Sequence, residues 1–193
     1  FYLLLGNFFS QLPTYSDLGA RVNLISPLFS ASAVMFLYLI IVQLIEKWRG
    51  KVKSWPDCLI VYGSAIIGAF TFAVTDSHWF NAVEAEVYSI STFFTSIVVW
   101  LILKWSTNSG HPGNVRYILI IAYMFGLAIG IHLLNLLALP FIALIVYFNK
   151  YQFKPGTFMV TIGITIITFI VIYLGIIKGL PNMANSFGLN LPI

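Results

Sequence analysis

Residues 79–88, WFNAVEAEVY, place two carboxylates, Glu84 and Glu86, two positions apart at the mouth of an apolar run. Carboxylates so placed can order hydroxyl groups, accept a proton or bind a divalent ion. If the segment is helical, positions i and i+2 point about 200° apart, so only one of the pair faces the bundle interior. Glu86, the nearer to the apolar run, is expected there, and Glu84 is expected to face water or a loop. A carboxylate at membrane depth costs about 2.5–3.5 kcal/mol and is kept where a partner or a function compensates; the plain alternative is that both acids complement a helix N-terminus. His132 and Asn135 lie three apart in IGIHLLNLLALP. On one helical face they would line a substrate cavity or make an interhelical hydrogen bond. Arg21 and Asn23 stand just before the first apolar run. The planar fork of Arg21 suits a lipid phosphate or a pairing with Glu86, an ordinary headgroup contact being the plain alternative. Trp79, with Phe80 and Tyr88, reads as an interfacial aromatic belt, and Trp79 also as a face on which a sugar ring can stack. Trp48, Trp55 and Trp105 read as a belt at the other interface.

Other chemistries find little support. No His-x3-His or His–Cys spacing exists, Cys58 is the only cysteine, and no metal site is expected. Asp76, Ser77 and His78 are consecutive, and neighbours in a loop cannot form a nucleophilic relay with one another. Phosphate-binding and dinucleotide-binding glycine patterns are lacking.

The elements that hold these residues are set by composition. Of 193 residues, 60% are hydrophobic and only 8% charged, against about 25% charged in soluble domains, and mean hydropathy is +0.94. Uncharged runs cover 24–45, 58–75, 87–103, 117–149 and 155–177. A helix needs roughly 20 apolar residues to cross the hydrocarbon core, so four of these runs fit single spans. The run 117–149 would extend about 50 Å as one helix and contains Gly126, Gly130 and Pro140. It is read as two short helices forming a hairpin. The expected fold is therefore an all-α polytopic bundle with about six spans, near 24–45, 58–74, 87–104, 117–131, 134–148 and 156–177, as a single transmembrane domain.

Charge placement tests the hairpin. The net charge of +4 lies between the spans rather than on a basic face, which excludes nucleic acid as a partner and leaves the bilayer. Lys47, Arg49, Lys51, Lys53, Lys104, Arg116, Lys150 and Lys154 all fall on one face only if 117–149 turns back on itself. Asp17, Asp76, His78, Glu84, Glu86 and His132 then collect on the opposite, extracytoplasmic face. The connector 106–115, with Gly110, His111, Pro112 and Gly113, reads as a plain turn-rich loop.

FYLLLGNFF, ARVNLISPLFSASAVMFLYL, WFNAVEAEVYSIS and GLAIGIHLLNLLALP, in this order and spacing, resemble a family of bacterial polytopic membrane proteins related to protein O-mannosyltransferases of the GT-C superfamily. The resemblance runs over nearly the whole chain. It implies a polyprenyl-phosphate sugar donor, a hydroxyl acceptor on a protein or glycan, an extracytoplasmic site in the bacterial inner membrane, and phosphate stabilisation by a cation or a divalent metal ion. It also implies a catalytic carboxylate in a first outer loop near a His-Pro-Pro-Gly-like turn, expected upstream of Phe1. The chain is accordingly expected to be an internal piece of a longer protein and inactive by itself. Arg21, Asn23, Trp79, Glu84, Glu86, Tyr88, His132 and Asn135 become donor-binding and cavity residues. The rival expectation is a transporter, flippase or structural membrane subunit in which Glu86, His132 and Arg21 form a polar relay; an inverted repeat of these spans in the complete gene would favour it.

The hairpin is testable by single-cysteine labelling in a Cys58→Ser background. Cysteines at Arg49, Ser109 and Lys150 should react from one side of the membrane and those at His78 and Asn185 from the other. Labelling of positions 109 and 150 from opposite sides would overturn it.

Overall fold

A computed structural model describes residues 2–108 and 113–186. Ser109, Gly110, His111 and Pro112 of the turn-rich connector lie outside the described residues, as do Phe1 and the tail from 187. Every regular element among the described residues is helical, as the all-α expectation requires. Five helical stretches are long and apolar enough to cross a membrane, and a sixth, Val115–Ile131, is shorter. The chain divides into two compact units, Phe1–Leu136 and Leu137–Ile193.

The first unit begins with two short helices, α1 (Tyr2–Ser10) and α2 (Leu18–Asn23), the second capped by Asp17, whose carboxylate accepts the N–H groups of Gly19 at 3.4 Å and Ala20 at 3.1 Å. The long helix α3 (Ile25–Arg49) ends at Gly50, whose N–H returns to Glu46 O at 2.8 Å and whose φ of +94° few other residues tolerate. Ser54 caps α4 (Trp55–Cys58), with Pro56 in the first turn where its missing N–H costs nothing. A π turn at Leu59–Gly63 carries α4 into α5 (Ser64–Ala73). Then come α6 (Asp76–Val83), α7 (Val87–Thr107) and α8 (Val115–Ile131).

Helices α3 and α7 run parallel along their length. Ring centroids lie 5.1 Å apart between Phe29 and Phe93 and 5.4 Å apart between Phe36 and Trp100, and farther on Lys47 Nζ donates to Ser106 Oγ at 3.1 Å. Helix α5 packs on α3 so closely that a Cβ at Gly68 would stand 3.0 Å from Ile41 Cδ1. Helix α8 returns beside α7, and its Ala128 joins Ile25, Ile90 and Phe94 in a buried cluster covered by Tyr2, Leu5 and Phe9 of α1. This packing gathers Lys47, Arg49 and Lys104 at one end of the first unit, where Arg49 meets Asp57 at 3.6 Å. Asp17, Asp76 and Glu86 stand at the opposite end, at the starts of α2, α6 and α7, with Glu84 at the end of α6. Trp105 departs from the belt expectation: it is buried, packed into the bundle rather than set at an interface.

The run 117–149 breaks into two helices, although not at its glycines. Gly126 and Gly130 lie inside α8, and the chain leaves the helix at His132, which is extended at φ −149° and ψ 129°. A 3-10 turn, Leu133–Leu137, follows. It leads to α9 (Ala138–Lys150) of the second unit, where Pro140 falls in the first turn, again where no intrahelical N–H bond is lost. Helix α10 (Pro155–Ile170), a π segment at Val171–Gly179 and α11 (Leu180–Ser186) complete that unit. The buried Tyr147 fixes the turn between α9 and α10, its hydroxyl oxygen accepting the Lys154 N–H at 3.1 Å and sharing a hydrogen with Thr157 Oγ1 at 2.9 Å.

The break is held by Asn135. Its Nδ2 donates to Ala128 O at 2.6 Å, and its Oδ1 accepts from Ser91 Oγ at 2.8 Å and Thr95 Oγ1 at 2.7 Å. In a double-mutant cycle of Asn135→Ala with Thr95→Val, unfolding measurements should give a coupling of about 0.6–1.7 kcal/mol, the range of interhelical hydrogen bonds in membranes. Additive single-mutant losses would show that the contact holds nothing.

Candidate functional site

The acidic end of the first unit gathers most of the residues singled out by sequence, in a geometry that differs from the helical one expected. Helix α6 ends at Val83 and α7 starts at Val87, so Glu84 and Glu86 lie on neither. Both have extended backbones, with φ −101° and ψ 142° at Glu84 and φ −124° and ψ 166° at Glu86, and the Glu86 N–H bonds Glu84 O at 2.8 Å across Ala85. The 200° opposition of a helix therefore does not apply. Glu86 does not face the bundle interior: it is exposed at the N-cap of α7, and Glu84 is exposed at the end of α6. Burial, and after it the negative charge of Glu86, raise the Tyr2 phenol above its ordinary value near 10, so Glu86 and α1 share one electrostatic neighbourhood.

His132 and Asn135 do not share an α-helical face, because the helix stops at His132. They are joined instead through the backbone: the Asn135 N–H reaches His132 O at 3.1 Å, and His132 Nδ1 accepts the Leu134 N–H at 3.2 Å. The His132 ring packs on Tyr88 at 5.2 Å between centroids. Tyr88 is thus a wall for the imidazole as well as an exposed aromatic.

Arg21 makes no pairing with Glu86. Its Nε donates to Tyr15 O and its Nη1 to Ser10 O at 3.1 Å, so part of the guanidinium fastens the connector between α1 and α2. Asn23 also works locally, donating from Nδ2 to Val83 O at 2.9 Å, while its buried Oδ1 has no partner among the described residues. Trp79 is 60% exposed. Among the described residues no group of three or more His, Cys, Asp and Glu side chains is placed to hold a metal ion. Glu84 and Glu86 alone do not fit a divalent cation, and no metal-assisted step follows from them.

The sequence did not point to α6 as a helix or to what clamps it. Buried His78 places Nε2 2.7 Å from Ser30 Oγ, with its ring 4.4 Å from that of Phe72. Ser89 Oγ donates to Asn81 O at 2.5 Å, and Asn23 holds Val83 as described. These three ties fix α6 across the starts of α3 and α7, beside a cavity of about 250 Å³ lined by Ser30, Val34, Ala73, His78, Trp79 and Val83. A second cavity, of about 460 Å³, lies between α3, α5 and α7 and is lined by Leu37, Phe72, Ser91, Thr95, Val99 and Asn135. The hydroxyl spacing of Ser91 and Thr95, one helical turn apart, was the available signal for this second cavity.

Burial lowers the His78 pKa from its ordinary value near 6.5, and a hydrogen bond with Ser30 opposes the shift. The unfolded chain therefore takes the proton first as pH falls. The contribution of this clamp to stability is complete above about pH 6.5 and declines below it. Thermal melts in detergent should show a fall towards acid pH that is smaller in His78→Gln. An identical pH dependence in the two proteins would remove His78 as its source.

No curated protein and no solved structure matches the chain. A family model does, over residues 1–154, across the first unit and into the second. The chain belongs to the family of the protein O-mannosyl-transferase TMEM260 N-terminal domain.

Proposed function

We propose that this chain is the membrane-embedded part of a GT-C-type glycosyltransferase that moves a mannosyl group from a polyprenyl-phosphate donor to a hydroxyl of a protein or glycan, on the extracytoplasmic face of a bacterial inner membrane. The observation that carries this reading is membership of an O-mannosyl-transferase family; the clustering of polar groups at one end of a helical bundle supports it. A broken helix with polar side chains near the break would serve a transporter equally, and the family weighs for the transferase.

Sugar transfer from such a donor displaces a phosphate, so the site must recognise sugar hydroxyls, steady the leaving phosphate and assist deprotonation of the acceptor hydroxyl. Glu86 is the proposed hydroxyl-ordering group: it is exposed, at the N-cap of α7, within electrostatic reach of Tyr2. Arg21 retains guanidinium N–H groups beyond the two bound to carbonyls, and these are the proposed phosphate contact. Trp79 and Tyr88 offer exposed rings for the sugar, and His132 is set against Tyr88. Asn23 and Asn135 act through the backbone they hold, and Glu84 faces solvent.

Glu86→Gln in the full-length enzyme should lower mannosyl transfer from a polyprenyl-phosphate donor by about ten- to hundredfold, the worth of a hydrogen bond to a charged group. Glu84→Gln should stay near the parent rate, with expression and melting temperature unchanged in both. Equal losses from the two, or full activity in Glu86→Gln, would show that the wrong carboxylate has been chosen.

A further inference from the structure

We propose that the connector between α3 and α4 is a binding surface for anionic phospholipid headgroups. Within residues 47–55, KWRGKVKSW, every second position from Lys47 to Lys53 is basic, and a tryptophan stands near each end. All four cations are exposed, and Trp48 and Trp55 are 84% and 73% exposed. Exposed tryptophans of that degree at the ends of two apolar helices suit the headgroup layer, where an indole finds both an apolar and a wet side.

Two of the cations are partly engaged by the protein, Lys47 with Ser106 and Arg49 with Asp57. The side chains of Lys51 and Lys53 have no hydrogen bond or ion pair among the described residues. Three features keep the connector at the level of the helix ends. Gly50 reverses the chain directly after α3, the Arg49–Asp57 contact ties one end of the connector to the other, and Val52 is half-buried. A segment so short and so tethered meets the membrane surface before any partner in solution. Phosphate groups there lie within the Debye length over which lysines act. Lys104, in the last turn of α7 at the same end, adds to the positive field.

The test uses the full membrane protein, purified in detergent and mixed with equal amounts of phosphatidylglycerol and phosphatidylcholine, with retained lipid counted by native mass spectrometry. Phosphatidylglycerol should be retained about ten- to thirtyfold over phosphatidylcholine, the size expected for two lysines beside anionic headgroups. The preference should vanish in Lys51→Gln/Lys53→Gln and persist in Lys51→Arg/Lys53→Arg and in Lys178→Gln. Equal retention of the two lipids by the parent protein, or a preference that survives the double glutamine variant, would overturn the proposal. So would displacement of the lipid by millimolar inorganic phosphate, which would show a site for free anions. Mannosyl transfer is not read in this experiment, so its outcome is independent of the proposed activity.

Discussion

One amide side chain ties the end of α8 to its neighbour α7. Asn135 follows the point where α8 comes apart, and an α-helix that ends inside a bundle leaves carbonyls that nothing in an apolar surrounding can satisfy. Asn135 adds a second donor to the Ala128 carbonyl, which also accepts the His132 N–H at 3.0 Å, and its oxygen accepts two hydroxyls from α7. That exchange ties the end of α8 to two hydroxyls of α7 through one side chain. The 3-10 turn, the extended His132 and its packing on Tyr88 all follow from a chain that can afford to leave the helix there.

The remaining polar ties of the first unit obey the same constraint. Several serine and threonine hydroxyls turn back on their own helix, as Thr92 does to Tyr88 O and Ser96 to Phe93 O, whereas the buried Ser26 Oγ has no partner among the described residues. Cross-helix ties are concentrated at the two ends: His78 with Ser30, Asn23 with Val83 and Ser89 with Asn81 at one, Lys47 with Ser106 at the other. Between them the contact is apolar and aromatic, as in the ladder from Phe29 through Phe93 and Phe36 to Trp100. The acidic end is thus built on rigid helices while Glu84 and Glu86 stay in a short extended segment, an arrangement suited to holding groups that meet a mobile substrate.

The long helices were legible because hydropathy alone sets them: an uncharged run of spanning length must close its own backbone hydrogen bonds. The grouping of Lys47, Arg49 and Lys104 at one end of the first unit was legible for the same reason, since charges cannot sit within the runs. What was not legible lies where local pattern is weak and distant partners decide. The stretch 76–83 is too short and too polar for hydropathy to announce a helix, and it is held by Ser30, Asn23 and Ser89 from elsewhere in the sequence. Glu84 and Glu86 look like helix charges until α6 is known to end just before them. The break at His132 carries neither glycine nor proline, and glycine and proline were the only residues in that run whose chemistry marks a break by itself.

The cross-helix ties also set an order of events during synthesis. Thr95 and Ser91 must await a residue 40 and 44 positions later, Ser30 one 48 positions later, Lys47 one 59 later, and Val83 is gripped by a residue 60 positions earlier. An emerging chain delivers its N-terminal helices first, so α3 enters the bilayer with Ser30 and Lys47 unmatched, and α7 waits in turn for the turn after α8. The first unit therefore stays a loose set of inserted helices until residue 135 has left the ribosome, and only then can it lock. A nascent chain stopped before that point should be the form that membrane quality control meets.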